Sequence, residues 1–202
     1  MAGRIPVRWS HSIPSGPLEA LFNETTLVAA AHVLSMGEVG EVLNGVDLAE
    51  HREYVEQVRK NPGVAERNPA IVAKWVGGTR SRVERQGVVV HMGGEGDPSA
   101  MWMFLASLAA CDVEVVATHA SLLGIEIEDL EVEAKGHFSI QRLLGLDGPA
   151  PGYDRISYTV RLRGKGATPE KVARLRGICE RGSPVGDSVG RAIPLELKVD
   201  VA

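Results

Sequence analysis

Cysteine is scarce in this chain: two thiols, Cys111 and Cys179, among 202 residues. They form no Cys-x-x-Cys pair and no cluster with histidine, so zinc ribbons and fingers are excluded. In a reducing compartment two such thiols are not a structural staple. Positive charge is not in excess either: 22 Lys and Arg stand against 26 Asp and Glu, a net charge of −4. That balance does not favour nucleic-acid partners, which usually call for a clustered basic face. The opening segment carries Arg4 and Arg8 but no apolar stretch after them, which is not the pattern of a secretory signal. The longest apolar run, Met101 to Cys111, is short for a bilayer span. The expectation is a cytoplasmic protein with no membrane partner. Internal repeats and low-complexity tracts are missing as well.

What the chain does have is an ordinary globular balance, 44% hydrophobic and 24% charged. Its length allows one full domain with an added segment, or two small domains. Residues 1–66 read as a mostly helical extension. One apolar segment runs from Pro17 to Leu34. A charged helix is expected from Asp47 to Lys60, with Leu48, Tyr54, Val55 and Val58 as its anchors. Asn61-Pro62-Gly63 stops it.

The texture changes near Asn68-Pro69, and residues 67–202 read as the main domain. Ile71–Val76, Arg82–Arg85 and Val88–Met92 predict three strands, with Gly77-Gly78 as the first turn. Asp97-Pro98 then suits the N-cap and first position of a helix reaching about Leu123, ended by Gly124. The first half of that helix is apolar on every side, which predicts a central helix buried all round. Asp112, Glu114 and His119 mark where one face should re-emerge.

Three later segments alternate with period two, around Leu130–Lys135, Arg155–Leu162 and Ile193–Val201. Each predicts a strand with one buried face. The acidic run from Glu126 to Glu133 therefore reads as the solvated face of a strand and not as a metal site. Between the last two strands, Thr168-Pro169-Glu170 opens a helix whose apolar stripe is Val172, Leu175, Ile178 and Cys179, and Gly182 ends it. The fold class is α+β.

Three stretches carry a resemblance. Pro98 to Val116, PSAMWMFLASLAACDVEVV, resembles the central helix of the OsmC/Ohr family, with Cys111 at its cysteine and Glu114 at an acidic position. Ile178 to Val185, ICERGSPV, is similar to the family's second cysteine motif. Trp75 to Arg80, WVGGTR, is similar to its opening strand and Gly-Gly turn. The resemblance implies antiparallel sheets around a long buried helix, an intertwined homodimer, and reduction of organic hydroperoxides. A peroxidatic cysteine acts as thiolate, held by an arginine that a glutamate holds in turn. A second cysteine closes a disulfide, which small dithiols or lipoyl proteins reduce. No cofactor is implied.

Carried over residue by residue, Cys111 takes the peroxidatic position. A thiolate is the nucleophile and needs a nearby positive charge. Cys111 is mid-helix, so that charge must come from elsewhere; Arg80 is the first choice and Arg82 the second. The bland alternative is a core thiol. The glutamate position holds Trp102, which can stack on a guanidinium but accepts no charge-assisted hydrogen bond. Glu95, in the Gly loop upstream, is the candidate substitute. The second cysteine position holds Ser183, which with Pro184 also suits a helix cap. Cys179, one turn earlier, is a candidate relocated resolving thiol or a buried core residue. His119 and His91 could line the same cleft.

Two functions follow. In the first, Cys111 reduces a hydroperoxide and an external thiol or dithiol recycles it. In the second, the catalytic set has decayed and an apolar dimer cleft, lined by Met101, Trp102, Met103 and Phe104, holds a small apolar ligand.

Overall fold

The computed structural model describes the backbone of residues 7–10 and the whole of residues 42–199. The helix expected between Pro17 and Leu34 lies outside those residues. The first strand, β1 (Val7–Ser10), pairs antiparallel with a strand 150 residues later. A two-residue hairpin follows, β2 (Val42–Leu43) and β3 (Val46–Asp47), turning at Asn44-Gly45. Both turn residues have positive φ, 53° and 79°, the pairing that hairpins of this length favour.

Helix α1 (Leu48–Lys60) begins where expected, because Asp47 Oδ1 accepts from the backbone N–H groups of Ala49 and Glu50, both at 2.9 Å. A single 3-10 turn at Pro62–Ala65 stops it. The three short strands β4 (Val72–Trp75), β5 (Ser81–Arg85) and β6 (Val88–Met92) make an antiparallel meander in that order. Gly77 and Gly78 turn the first pair at positive φ. Both faces of this small sheet are largely open within one chain. Trp75 is 76% exposed, and Val72 and Val88 are exposed beside it.

Helix α2 (Ala100–Leu122) is the centre of the fold. Its cap is Ser99, whose Oγ accepts from the Trp102 N–H at 3.1 Å, and not Asp97, which stays in the preceding loop. One side of α2 buries Leu108, Asp112, Val116 and Ala120, a stripe repeating every four residues. Burying Leu108 and Val116 stabilises the fold by about 1.5–3 kcal/mol each. Burial all round is not reached within one chain: Trp102 is 59% exposed, and Phe104 and Val113 are also open. The expectation that Asp112 marks a re-emerging face is corrected, since it is fully buried. The helix is also longer than its apolar run. At 23 residues, with a mean hydropathy of 1.6 in its most apolar part, it could cross a membrane by length and composition alone. It packs its buried stripe on a sheet and a second helix instead.

That sheet is built from β7 (Glu126–Phe138) and β8 (Tyr153–Lys165), with β1 on the far side of β8. All pairings are antiparallel. Val160 and Leu162 of β8 and Ile125 before β7 join α2 in the core. The solvent face carries the acidic run, answered by basic residues: Arg161 reaches Glu131 at 2.5 Å and Glu133 at 2.8 Å, and Lys165 reaches Glu126 at 2.8 Å. Tyr153 pins the hairpin to α2. Its hydroxyl donates to the Met101 carbonyl at 2.7 Å, and its ring meets Phe104 and Phe138.

Asn44 joins the first hairpin to this body. Its side-chain Nδ2 donates to Ser121 Oγ at 2.9 Å and to the Ile125 carbonyl at 2.8 Å, and its Oδ1 accepts from the Ile127 N–H at 2.8 Å. Residues 42–60 are thus fastened to the end of α2 and the start of β7.

Helix α3 (Pro169–Gly182) is capped by Thr168 and packs Leu175 and Cys179 on α2. Ser183 ends it and caps the short α4 (Pro184–Gly190). The last expected strand does not form: Ile193, Leu195, Leu197 and Val199 keep their alternation, but residues 192–199 have no ladder partner. Leu195 is 97% exposed.

Candidate active site

Cys111 lies halfway along α2 and is partly exposed, beside the junction of α3 and α4. The junction delivers one polar group to it. Ser183 Oγ stands 3.7 Å from Cys111 Sγ, within hydrogen-bond reach of a sulfur acceptor. The position of Ser183 follows from local chemistry. As cap of α4 it accepts from the Gly186 N–H at 3.1 Å, which holds the oxygen still and leaves its proton to be donated. A side chain at Gly186 would press on that hydroxyl.

The next residue, Asp112, turns inward. It is 0% exposed, and neither carboxylate oxygen has a hydrogen-bond partner. Burial raises its pKa above the usual carboxylate range; the Ser183 hydroxyl beside it pulls the other way. Cys179 and Tyr158 complete the cluster. Burial, with the Asp112 charge second, pushes the Cys179 thiol and the Tyr158 phenol each up to about 12.

The other candidates lie elsewhere. Arg80 Nε is 3.6 Å from Asp97 Oδ2, across the glycine loop before α2. A Cβ on Gly94 would meet both side chains, which would have to swing aside. Arg82 pairs with Glu84 at 2.5 Å on the meander, opposite His91 in the ladder. Among the described residues neither arginine donates to Cys111. Glu95 is exposed in the loop and Glu114 is exposed on α2, while Trp102 stands open on the first turn of α2. His119 faces His51 of α1 and Arg174 of α3; burial, then those two charges, lowers its pKa. No group of three or more potential metal ligands occurs among the described residues.

The chain thus sets a half-exposed thiol on a central helix against the serine of a helix-capping Ser-Pro pair. The sequence profile of OsmC-like proteins matches residues 93–198, just over half the chain and the whole of this arrangement. The chain belongs to the OsmC-like protein family. No curated protein matches it. Among solved structures, an OsmC-like protein from Mycoplasma pneumoniae is 12% identical, covering 61% of this chain and 88% of its own, with a TM-score of 0.49. An OsmC-like hydroperoxide resistance protein from Jannaschia sp. is 19% identical, covering 64% and 89%, with a TM-score of 0.41. An organic hydroperoxide resistance protein OsmC from Legionella pneumophila is 18% identical, covering 61% and 91%, with a TM-score of 0.43.

Within this OsmC-like chain the structure brings Cys111 and Ser183 together and sets Cys179 in the core one turn before Ser183. It leaves Arg80, Trp102, Glu95 and Glu114 apart from the sulfur as far as hydrogen bonds and ion pairs show. The residue that sequence reasoning missed is Asp112. Its signal was present: Leu108, Asp112, Val116 and Ala120 share one four-residue period, so the aspartate lies on the most apolar stripe of the helix.

Proposed function

We propose that this OsmC-like protein reduces organic hydroperoxides through Cys111, with recycling by an external thiol or dithiol. The observation that carries this reading is the accessible Cys111 sulfur with the Ser183 hydroxyl 3.7 Å away. In the reaction the thiolate attacks the terminal oxygen of the hydroperoxide. The O–O bond breaks, the alkoxide takes a proton from water, and Cys111 becomes a sulfenic acid. An external thiol condenses with it, releasing water and leaving a mixed disulfide. A second thiol equivalent exchanges onto that disulfide and frees the Cys111 thiolate.

External recycling fits this chain better than an internal disulfide. Ser183 has no thiol to offer. Cys179 is 2% exposed and its pKa is pushed up to about 12, so at neutral pH its thiolate fraction is negligible.

A homodimer belongs to this proposal. The open faces of the meander, the exposed Trp102 and Phe104 of α2, and the alternating Ile193–Val199 segment are apolar surfaces that a second copy would cover. Assembly is also the way a cation such as Arg80 would reach Cys111. A cytoplasmic, reducing setting would supply the thiol.

The test is consumption of cumene hydroperoxide with a dithiol present. Turnover in the native protein, lost in Cys111→Ser and retained in Cys179→Ser, supports the proposal. No turnover in the native protein would move the reading to a second function, an apolar ligand held over α2. The exposed Trp102 at the family's glutamate position favours that alternative.

A further inference from the structure

The hairpin of β7 and β8 and the meander of β4, β5 and β6 treat charge in opposite ways. Across β7 and β8, unlike charges stand in register: Glu126 opposite Lys165, Asp129 opposite Arg163, and Glu131 opposite Arg161. Where that hairpin sets His137 opposite Arg155, Asp154 answers the histidine at 2.9 Å. The meander sets like charges together. Lys74 of β4 stands opposite Arg82 of β5, and Arg82 stands opposite His91 of β6. Residues directly opposite in a sheet project from the same face, so the basic side chains form one row. With strands about 4.8 Å apart, the row is about 10 Å long. Like charges so placed weaken a sheet.

Little on the meander offsets them. The acid on this face is Glu84, in the neighbouring row between Val72 and Val89, and it pairs with Arg82 at 2.5 Å. Among the described residues neither Lys74 nor His91 has an ion-pair partner. Both are exposed, and Arg82 is half-buried. The imbalance extends beyond the row. Residues 69–92 hold four Lys and Arg against that single acid, in a chain whose net charge is −4. The opposite face of the meander differs: Trp75, Val83, Val88 and Val90 share it, with Arg85 opposite Val88. A second copy laid on that apolar face would leave the basic row open.

We propose that the Lys74–Arg82–His91 row binds a chain of phosphate groups, free or as the triphosphate of a nucleotide. A line of phosphates matches a line of cations, where a single small anion would meet only part of it. Arginine takes two phosphate oxygens at once through its planar fork, and lysine serves as a point charge. The histidine adds a hydrogen-bond donor at the far end, and a charge when protonated. Glu84 is the competitor: it occupies Arg82 in the free protein and gives it up to the incoming oxyanion. Repulsion within the row becomes attraction for the ligand. The site is separate from Cys111 and stands whether or not that thiol reduces peroxides.

The experiment is titration calorimetry of the full-length protein with sodium tripolyphosphate at neutral pH and low salt, with ATP in a parallel arm. Binding is expected to weaken about fivefold or more in Arg82→Gln and in Lys74→Gln, each of which removes one charged contact. Glu84→Gln removes the competitor and is expected to bind about twofold or more tighter. Arg85→Gln takes the same charge from the opposite face and is expected to leave the affinity within about twofold. Equal affinities for the two ligands would assign recognition to the phosphates alone, and tighter binding of ATP would make a nucleotide the source. No binding of either ligand at millimolar concentration would overturn the proposal. So would equal weakening by Arg82→Gln and Arg85→Gln, because net charge and not the row would then hold the anion.

Discussion

The amide of Asn44 donates to the carbonyl of Ile125, 81 residues away, at 2.8 Å. With its bonds to Ser121 and Ile127, the side chain satisfies three groups at the turn where α2 hands over to β7. A side chain is standing in for a missing strand partner. It can do so because its own backbone is held in the left-handed turn region, φ 53°. Asn44→Ala removes all three bonds at once and strands partly buried polar groups. The expected cost is about 2–4 kcal/mol, at roughly 1 kcal/mol or more per bond. Thermal unfolding measures it. Amide exchange at Ile127 should rise before any other position in β7.

Asp112 should make the protein less stable at neutral pH than it need be. The folded state raises this carboxyl above its ordinary value of 3.8, so the fold holds the proton more tightly than the unfolded chain does. Stability from this group is therefore complete below about pH 3.8 and is lost as pH rises through the folded value. Asp112→Asn is expected to gain about 1–2 kcal/mol near pH 7, where the native carboxyl is under strain to ionise, and to gain less near pH 4. Melting temperatures of both proteins at the two pH values check the sign.

The two thiols should differ sharply in reactivity. Cys179, with its pKa pushed up to about 12, has on the order of 10³-fold less thiolate at pH 8 than an ordinary cysteine, before its burial is counted. Iodoacetamide at that pH should label Cys111 to completion while Cys179 stays unmodified. Unfolding in denaturant should abolish the difference.

Ser183→Cys would put a second thiol where the hydroxyl now meets Cys111. The 3.7 Å separation is longer than a disulfide bond, and a change of side-chain rotamer is the adjustment required. One equivalent of hydroperoxide should then convert the pair to an intramolecular disulfide. Intact mass would show the loss of two hydrogens, and the recycling step would come to depend on a dithiol in place of any monothiol.

Much of the fold was legible from short-range chemistry. Asp47, Thr168 and Ser183 each announce a helix because a cap is decided within three residues; Ser183 caps as expected, and Asp47 and Thr168, read as the starts of their helices, prove to be the caps. The alternation of β7 and β8 was readable for the same reason. The sequence put the cap of α2 at Asp97. The choice went to Ser99 because Asp97 is turned towards Arg80, a contact between segments that spacing alone does not reveal. Asp112 was misread because charge suggests solvent, and only its place in a four-residue stripe says otherwise. The final alternating segment was read as a strand because its side chains ask for a sheet. Whether a ladder forms depends on a partner that the local sequence does not name. At the site, the cysteine and the serine were legible by position. The inward turn of the aspartate needed three dimensions.

The acidic run on β7 has a consequence for how the protein behaves in bulk. Among the described residues β7 pairs on one side only, with β8, and its other margin is an open edge thirteen residues long, of the kind that templates another chain. Its outward side chains are mostly glutamates, so two such margins meeting in register repel each other. Glu133 keeps its charge longest. Lys135, then Arg161, lowers its pKa to about 2. Acid that discharges ordinary glutamates leaves this one charged and still paired with both cations, so its ion pairs with Lys135 and Arg161 outlast those of the other glutamates on the strand.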